Sequence, residues 1–439
     1  MMDFLESYLV SAVCFLIAVG CLWQTWYLKK DFFTPVNVYV FAQTLTLGIA
    51  YLKLDKAMTD FSCKTWMVWG GALVSFMLGS VVYGLVNPKK SQDHVDTALG
   101  DSYDWRLHFI ISNLILLFYS IGVVLMIRKV GTLIILSDDI SKWVSSKADY
   151  GAFTSIAVAC SPLVVMFFMT ASFKSVNPHK AIRIYSLVVS FFVTAFTVCV
   201  YPTRTSLFLS LGFILILTNN LYKRIPLRFI VGALLLAVAL FIAIAMFRSQ
   251  YGSNSLQGMV ARKAVTIPYN YVANNYWNLD YMVNQPTDDV RHSFTYGIDA
   301  VNGIFEYTRL PGALRNSMGW DGMFNESVMK VPGYNTTGYL WEVYKDWGII
   351  GTVLFPFLAS FFMAFLYDRM KVARSPRTWM LFTMFLYYVG WWFFLAGYKF
   401  GLFWLWIYII CIGTKLCERK KKLPAQPLLE QEVNPEGNA

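Results

Sequence analysis

Three cations stand where apolar runs stop. Arg204 lies in the turn Tyr201-Pro202-Thr203-Arg204-Thr205, Arg248 closes a run in Phe247-Arg248-Ser249, and Lys399 sits in Gly397-Tyr398-Lys399-Phe400. An arginine at the edge of hydrocarbon costs about a kcal/mol or more, rising to roughly 2.5–3.5 kcal/mol at the centre of a helix, so its presence asks for a reason. One reason is a side chain that snorkels to lipid headgroups. The other is chemical: a guanidinium fork takes two phosphate oxygens at once. Fixed cations at neighbouring helix ends suit the two phosphates of a diphosphate ester, whose leaving-group charge must be stabilised as its bond to a sugar breaks.

Such a transfer also needs a base near the cations. Glu342 and Asp346 precede the apolar run at 347–367 and lie one helical turn apart on one face; their alternative role is capping and dipole compensation at a helix start. His292, beside Arg291, is the one histidine in the long polar stretch from 248 to 346, and a lone histidine is more often a hydrogen-bonding residue than a catalyst. The adjacent pair Asp288-Asp289 could hold a cation, although neighbouring loop carboxylates are usually solvated. No GxSxG, HExxH or CxxC spacing occurs, which turns the reading away from acyl transfer and metal hydrolysis. No metal and no cofactor are expected.

The elements that position these residues are apolar. With 57% hydrophobic residues, 17% aromatic and only 14% charged, the 439-residue chain falls outside the soluble globular class. Runs of roughly 20 apolar residues occur at about 7–28, 33–52, 65–86, 107–127, 151–173, 181–200, 205–221, 229–247, 347–367, 378–397 and 402–416. The expectation is an all-α polytopic membrane protein of about eleven transmembrane helices. Its first run lacks a basic leader and is too long for a cleaved signal segment, so it is read as a span.

The net charge of +11 is an orientation signal and not a nucleic-acid surface. Lys29-Lys30, Lys89-Lys90 with Arg106, Lys174 to Arg183, Lys223 to Arg228, Arg369 to Arg377 and the tail Arg419 to Lys422 fall in alternate joints. The positive-inside rule puts those joints in the cytoplasm and the N-terminus outside. The chain then divides into spans over 1–247, a large outer loop at 248–346, further spans over 347–416 and a cytoplasmic tail at 417–439. The joint at 128–150 has amphipathic spacing (Leu133, Ile135, Leu136, Ile140, Trp143, Val144) and is expected to lie in the membrane interface. Of the seven cysteines, Cys63 alone lies in an outer joint, so no disulfide framework folds the outer face.

The outer loop must therefore fold by packing against the spans. Its basic residues, from Arg248 to Lys330, are balanced by acidic ones from Asp280 to Glu326. Tyr269, Tyr271, Tyr276, Trp277, Tyr281 and Trp320 are set among Asn, Asp and Arg, including Arg291. That mixture suits a saccharide, whose ring faces pack on aromatics while hydroxyls meet polar groups. Tyr and Trp also mark the interface belt of ordinary membrane proteins.

Three features together resemble the Wzy-type O-antigen polymerases, the oligosaccharide repeat-unit polymerases of bacterial envelopes. They are Thr203-Arg204 in a tight outer turn that opens a span; Arg248 followed by Tyr251-Gly252 and a large outer loop; and Asn335, Tyr344, Asp346, Gly348 and Gly351 in the pattern Asn-x8-Tyr-x-Asp-x-Gly-x-x-Gly. The likeness extends over most of the membrane region. It implies a GT-C-like fold in the bacterial inner membrane, with the long loop folded as a partly helical periplasmic cap. It implies a glycosyltransferase of lipopolysaccharide biosynthesis that moves a growing glycan from undecaprenyl diphosphate to the next lipid-linked repeat unit. Arg204, Arg248, Tyr251, Arg291 and Lys399 would bind substrate, with Glu342, Asp346 or His292 as catalytic groups. A chain-length regulator and a flippase would be its partners. An O-antigen ligase, transferring to lipid A core, shares the architecture and the donor, and would rely on Arg291-His292. A lipid-linked oligosaccharide flippase is the third reading; it would need charged residues in mid-span, where this chain has few.

Overall fold

The computed structural model describes residues 2–28, 31–55, 59–87, 103–137, 150–201, 203–249, 256–285, 294–297, 303–304, 336–373 and 375–418. These residues form helices α1 (Met2–Tyr27), α2 (Pro35–Ala50), α3 (Cys63–Val86), α4 (Trp105–Val130), α5 (Ala152–Ala159), α6 (Ser161–Ser172), α7 (Lys180–Val200), α8 (Arg204–Leu221), α9 (Leu227–Ser249), α10 (Leu256–Asn284), α11 (Tyr339–Ala373), α12 (Pro376–Trp391) and α13 (Gly401–Cys417). Every apolar run expected as a span is helical, the run at 151–173 being split between α5 and α6 at Cys160, just before Pro162. Local signals set the starts. Thr34 accepts from the Asn37 N–H with Pro35 at the first position of α2, Ser62 caps α3 through the Thr65 N–H, and Asp104 caps α4 through the N–H groups of Arg106 and Leu107.

Among the described residues, six helical stretches are long and apolar enough to cross a membrane: those of α1, α3, α4, α5 with α6, α7, and α11. Their outward faces carry Leu16, Val19, Leu114, Val124, Val188, Phe192, Leu354 and Leu358, all exposed. So wide an apolar exterior belongs in lipid and not in water. This is a helical, membrane-embedded protein. Inside, α6 is the central post, with Leu163 to Phe168 fully buried.

Among the described residues, helix ends that adjoin the basic joints meet one another at one end of the bundle. Asp31 accepts from Asn219 Nδ2 and from Tyr367 Oη, each at 3.0 Å, Arg377 pairs with Glu418 at 2.8 Å, and the Asp104 N–H donates to the Cys417 carbonyl at 2.8 Å. At the other end lie α10, the start of α3 and the start of α8, and toward it points the tip of α11 at Gly348; we call this the mouth. The joint after α4 does not continue as a helix: Gly131 takes φ 84° and closes α4, a 3-10 turn follows at Ile134–Leu136, and 138–149 lies outside the described residues.

The chain reverses inside α11. Gly348 has φ 60° and ψ −149°, a conformation essentially restricted to glycine. On either side of it, the Tyr339 and Phe355 rings lie 6.2 Å apart, whereas a straight helix would separate these positions by about 24 Å. Residues 339–347 are thus a half-helix folded back along 349–373. Its last carbonyls, those of Lys345 and Asp346, have no helical successors and accept instead from the N–H groups of Thr295 and Tyr296 at 3.0 and 2.9 Å.

The half-helix starts deep. The Tyr339 hydroxyl hydrogen-bonds the Tyr39 hydroxyl, and Tyr39 stacks on Phe76 with centroids 3.9 Å apart. Phe76 is ~20 Å along α3 from Cys63 at the mouth. The Tyr339 N–H takes the Trp392 carbonyl at 2.8 Å, and any Cβ on Gly338 would stand 2.7 Å from the Phe393 carbonyl oxygen. That engagement corrects two sequence boundaries. The run expected at 378–397 stops at Trp391, because the next carbonyls receive the half-helix. Helix begins at Tyr339 and not at 347, so the last part of the predicted loop is buried in the bundle.

Candidate functional site

The half-helix carries its charges inward. Lys399 Nζ lies 2.8 Å from Glu342 Oε2, with the two side chains only 12% and 4% exposed. Thr337 Oγ1 donates to the other oxygen, Glu342 Oε1, at 2.6 Å. Lys399 stands on the 3-10 turn Gly397–Lys399 between α12 and α13, so this ion pair ties two separate chain reversals together. At 1.5 Å per residue, Glu342 sits about 9 Å below the tip at Gly348. One turn outward, Asp346 is 1% exposed and accepts from the Thr295 hydroxyl. Lys345 is fully buried, its ammonium 5.0 Å from the centroid of the Trp341 ring.

Helix α10 roofs this region. Asp280 Oδ1 accepts from the Ser62 N–H at 3.0 Å, Thr65 Oγ1 at 2.7 Å and Asn284 Nδ2 at 3.1 Å, which fastens α10 to the start of α3. Asn278 Nδ2 reaches the Thr336 carbonyl at 2.8 Å, and Lys64 Nζ the Val283 carbonyl at 2.7 Å. Farther along, Tyr276 Oη lies 2.7 Å from Thr46 Oγ1, and Tyr269 Oη donates to the Ala50 carbonyl at 3.0 Å. Burial pushes the Tyr276 phenol well above its ordinary value, so it stays neutral.

The sequence candidates are distributed as follows. Glu342 and Lys399 come together as an ion pair. Asp346 lies one turn from Glu342 on the same half-helix. Arg204 is the first residue of α8; Phe208, one turn on, stacks on Trp391, which contacts Phe394, which contacts Tyr271 of α10. The start of α8 therefore belongs to the mouth. Arg248 is the penultimate residue of α9, and the side chains of both arginines are outside the described set. Tyr251, Arg291, His292 and Trp320 lie outside the described residues. The expected saccharide-gripping aromatics Tyr269, Tyr276 and Trp277 are buried at 4%, 3% and 1%, with their faces packed in the protein.

Several residues of the site were not singled out from the sequence. Lys345, Thr295 and Thr337 carry no motif, and Asp280 was one of many loop acids. A usable signal was the adjacency of Lys345-Asp346 to Trp347-Gly348 at the edge of an apolar run, since a charged pair there must either reach water or be enclosed.

No family model matches the chain, and neither a curated protein nor a solved structure does. What the fold and site define is a class: a helical membrane protein with a half-helix that buries an ion pair beneath its mouth.

Proposed function

We propose that this protein is a membrane-embedded glycosyltransferase that polymerises lipid-linked oligosaccharide repeat units. The observation that carries the reading is the juxtaposition of Glu342 and Lys399 at 2.8 Å below the mouth at which α8 begins with Arg204. A carboxylate and an ammonium largely buried from water are the groups an acid–base transfer from a diphosphate ester requires. In the reaction the acceptor hydroxyl gives its proton to Glu342, and its oxygen forms a bond to the anomeric carbon. The bond from that carbon to the diphosphate oxygen breaks, and the diphosphate leaves with the electron pair, neutralised by Lys399, Arg204 and Arg248. The shorter helices complete about eleven crossings. The positive-inside rule turns the Asp31 end toward the cytoplasm and the mouth toward the periplasm of a bacterial inner membrane. The segment between α9 and the half-helix forms the cap, and a chain-length regulator and a flippase act with the enzyme.

The test is reconstitution in liposomes with an undecaprenyl-diphosphate-linked repeat unit, followed by gel analysis of the glycan. A ladder of repeats supports the reading. Transfer of a single unit to lipid A core, with no ladder, replaces it with a ligase. No transfer to either acceptor removes the transferase assignment.

A further inference from the structure

We infer that the Glu342–Lys399 pair is an exchange element: a diphosphate ester entering the mouth takes the Lys399 ammonium, and the Glu342 carboxylate is thereby released to accept a proton. The inference rests on the polymerase reading only in taking a diphosphate as the anion.

The geometry favours exchange over a fixed bridge. Lys399 holds Glu342 through one oxygen, Oε2, while Oε1 is held independently by Thr337. An ammonium is a compact charge with rotatable donors on a flexible stem, and Lys399 projects from a short 3-10 turn, so it can change partners without moving a helix. Its side chain retains 12% exposure where the carboxylate keeps 4%, so the cation is the more accessible member. A diphosphate offers more charge and more acceptor oxygens than one carboxylate, hence stronger charge-assisted hydrogen bonds.

The released carboxylate is not stranded. Thr337 continues to donate to it, and Glu342 lies in the first turn of the half-helix, where the helix dipole favours negative charge. A carboxylate that has lost its cation accepts a proton more readily. Binding of the leaving group would then arm the base, and an empty site would hold it neutralised.

The experiment measures binding of undecaprenyl diphosphate without sugar, and of inorganic pyrophosphate, to the full-length protein in nanodiscs. It compares the wild type with Glu342→Gln, Lys399→Met and the double variant. Removing the competing carboxylate should tighten diphosphate binding about tenfold, and removing the ammonium should weaken it about tenfold, with the double variant behaving as Lys399→Met. Pyrophosphate following the same order would assign the effect to the headgroup; an order kept only by the lipid would assign it to the anchored ester. Wild-type binding with Glu342→Gln equal or weaker overturns exchange and leaves the polymerase reading standing. If the wild type binds neither probe, the diphosphate assignment fails with it. Should Glu342→Gln not fold, infrared difference spectra of the wild type decide: ligand addition must shift a carboxylate stretching band, and an unchanged carboxylate region refutes the exchange.

Discussion

A cysteine pair at positions 339 and 355 tests the feature on which the site depends. In the folded-back arrangement the two side chains meet, with Tyr339 and Phe355 centroids 6.2 Å apart. Were the helix continuous, sixteen residues of rise would hold them ~24 Å apart along the axis. No fluctuation of an intact helix closes such a gap. Tyr339→Cys/Phe355→Cys, in a background relieved of exposed Cys63, should therefore be joined by a thiol cross-linker too short for the straight-helix distance. The readout is a cross-linked fragment after cleavage engineered at the tip, where Trp347 and Ile350 are exposed. Gly348→Ala supplies the companion perturbation. Its backbone conformation costs a non-glycine residue about 1–3 kcal/mol, and the added Cβ would lie 2.9 Å from the Phe294 ring. That overlap adds about 1–3 kcal/mol unless Phe294 swings aside, so the alanine variant should cross-link less and melt earlier. A membrane-inserted cysteine pair that never cross-links, or a Gly348→Ala protein indistinguishable from the wild type in both assays, would refute the reversal.

Other outcomes follow from the same contacts. Lys399→Met leaves the Glu342 carboxylate enclosed without its cation and should lower stability by about 3–5 kcal/mol; Lys399→Met/Glu342→Gln should recover most of it in detergent melts. Asp280→Ala removes the acceptor shared by Ser62, Thr65 and Asn284, at about 1–3 kcal/mol, and should expose 256–285 to limited proteolysis while the apolar helices stay intact. Arg204→Ala should abolish polymer with insertion unchanged, and Arg204→Lys should restore it only in part because a point charge lacks the planar fork; full-length polymer from Arg204→Ala would remove the clamp.

Much of the helical frame was legible in the chain, because an apolar run has one stable form in lipid, a helix that satisfies its own backbone. Thr34-Pro35, Ser62 and Asp104 are capping signals that the apolar runs, placed from 33, 65 and 107, left unused. The mouth was harder to read. Glu342 and Asp346 drew notice by their spacing, yet spacing alone made them the ordinary first turn of a span. The enclosure of Glu342 depends on Trp392, Phe393 and Lys399, and that of Asp346 on Thr295, all more than forty residues away in the chain. Lys399 was recognised as a cation at a helix end, but its partner was not, since the pair forms only when two reversals meet.

The same physics explains why a half-helix is the element that holds these charges. A carboxylate carried at this depth by a full span would face lipid or another span, with its desolvation uncompensated. A helix that begins inside the bundle brings the positive end of its dipole to that depth, which favours the negative charge of Glu342 in the first turn. At the far end the free carbonyls of Lys345 and Asp346 need donors, and the segment 294–297 supplies them through Thr295 and Tyr296. Segment 294–297 is thereby tied to the half-helix by two backbone bonds, which any change of side chain other than to proline leaves in place.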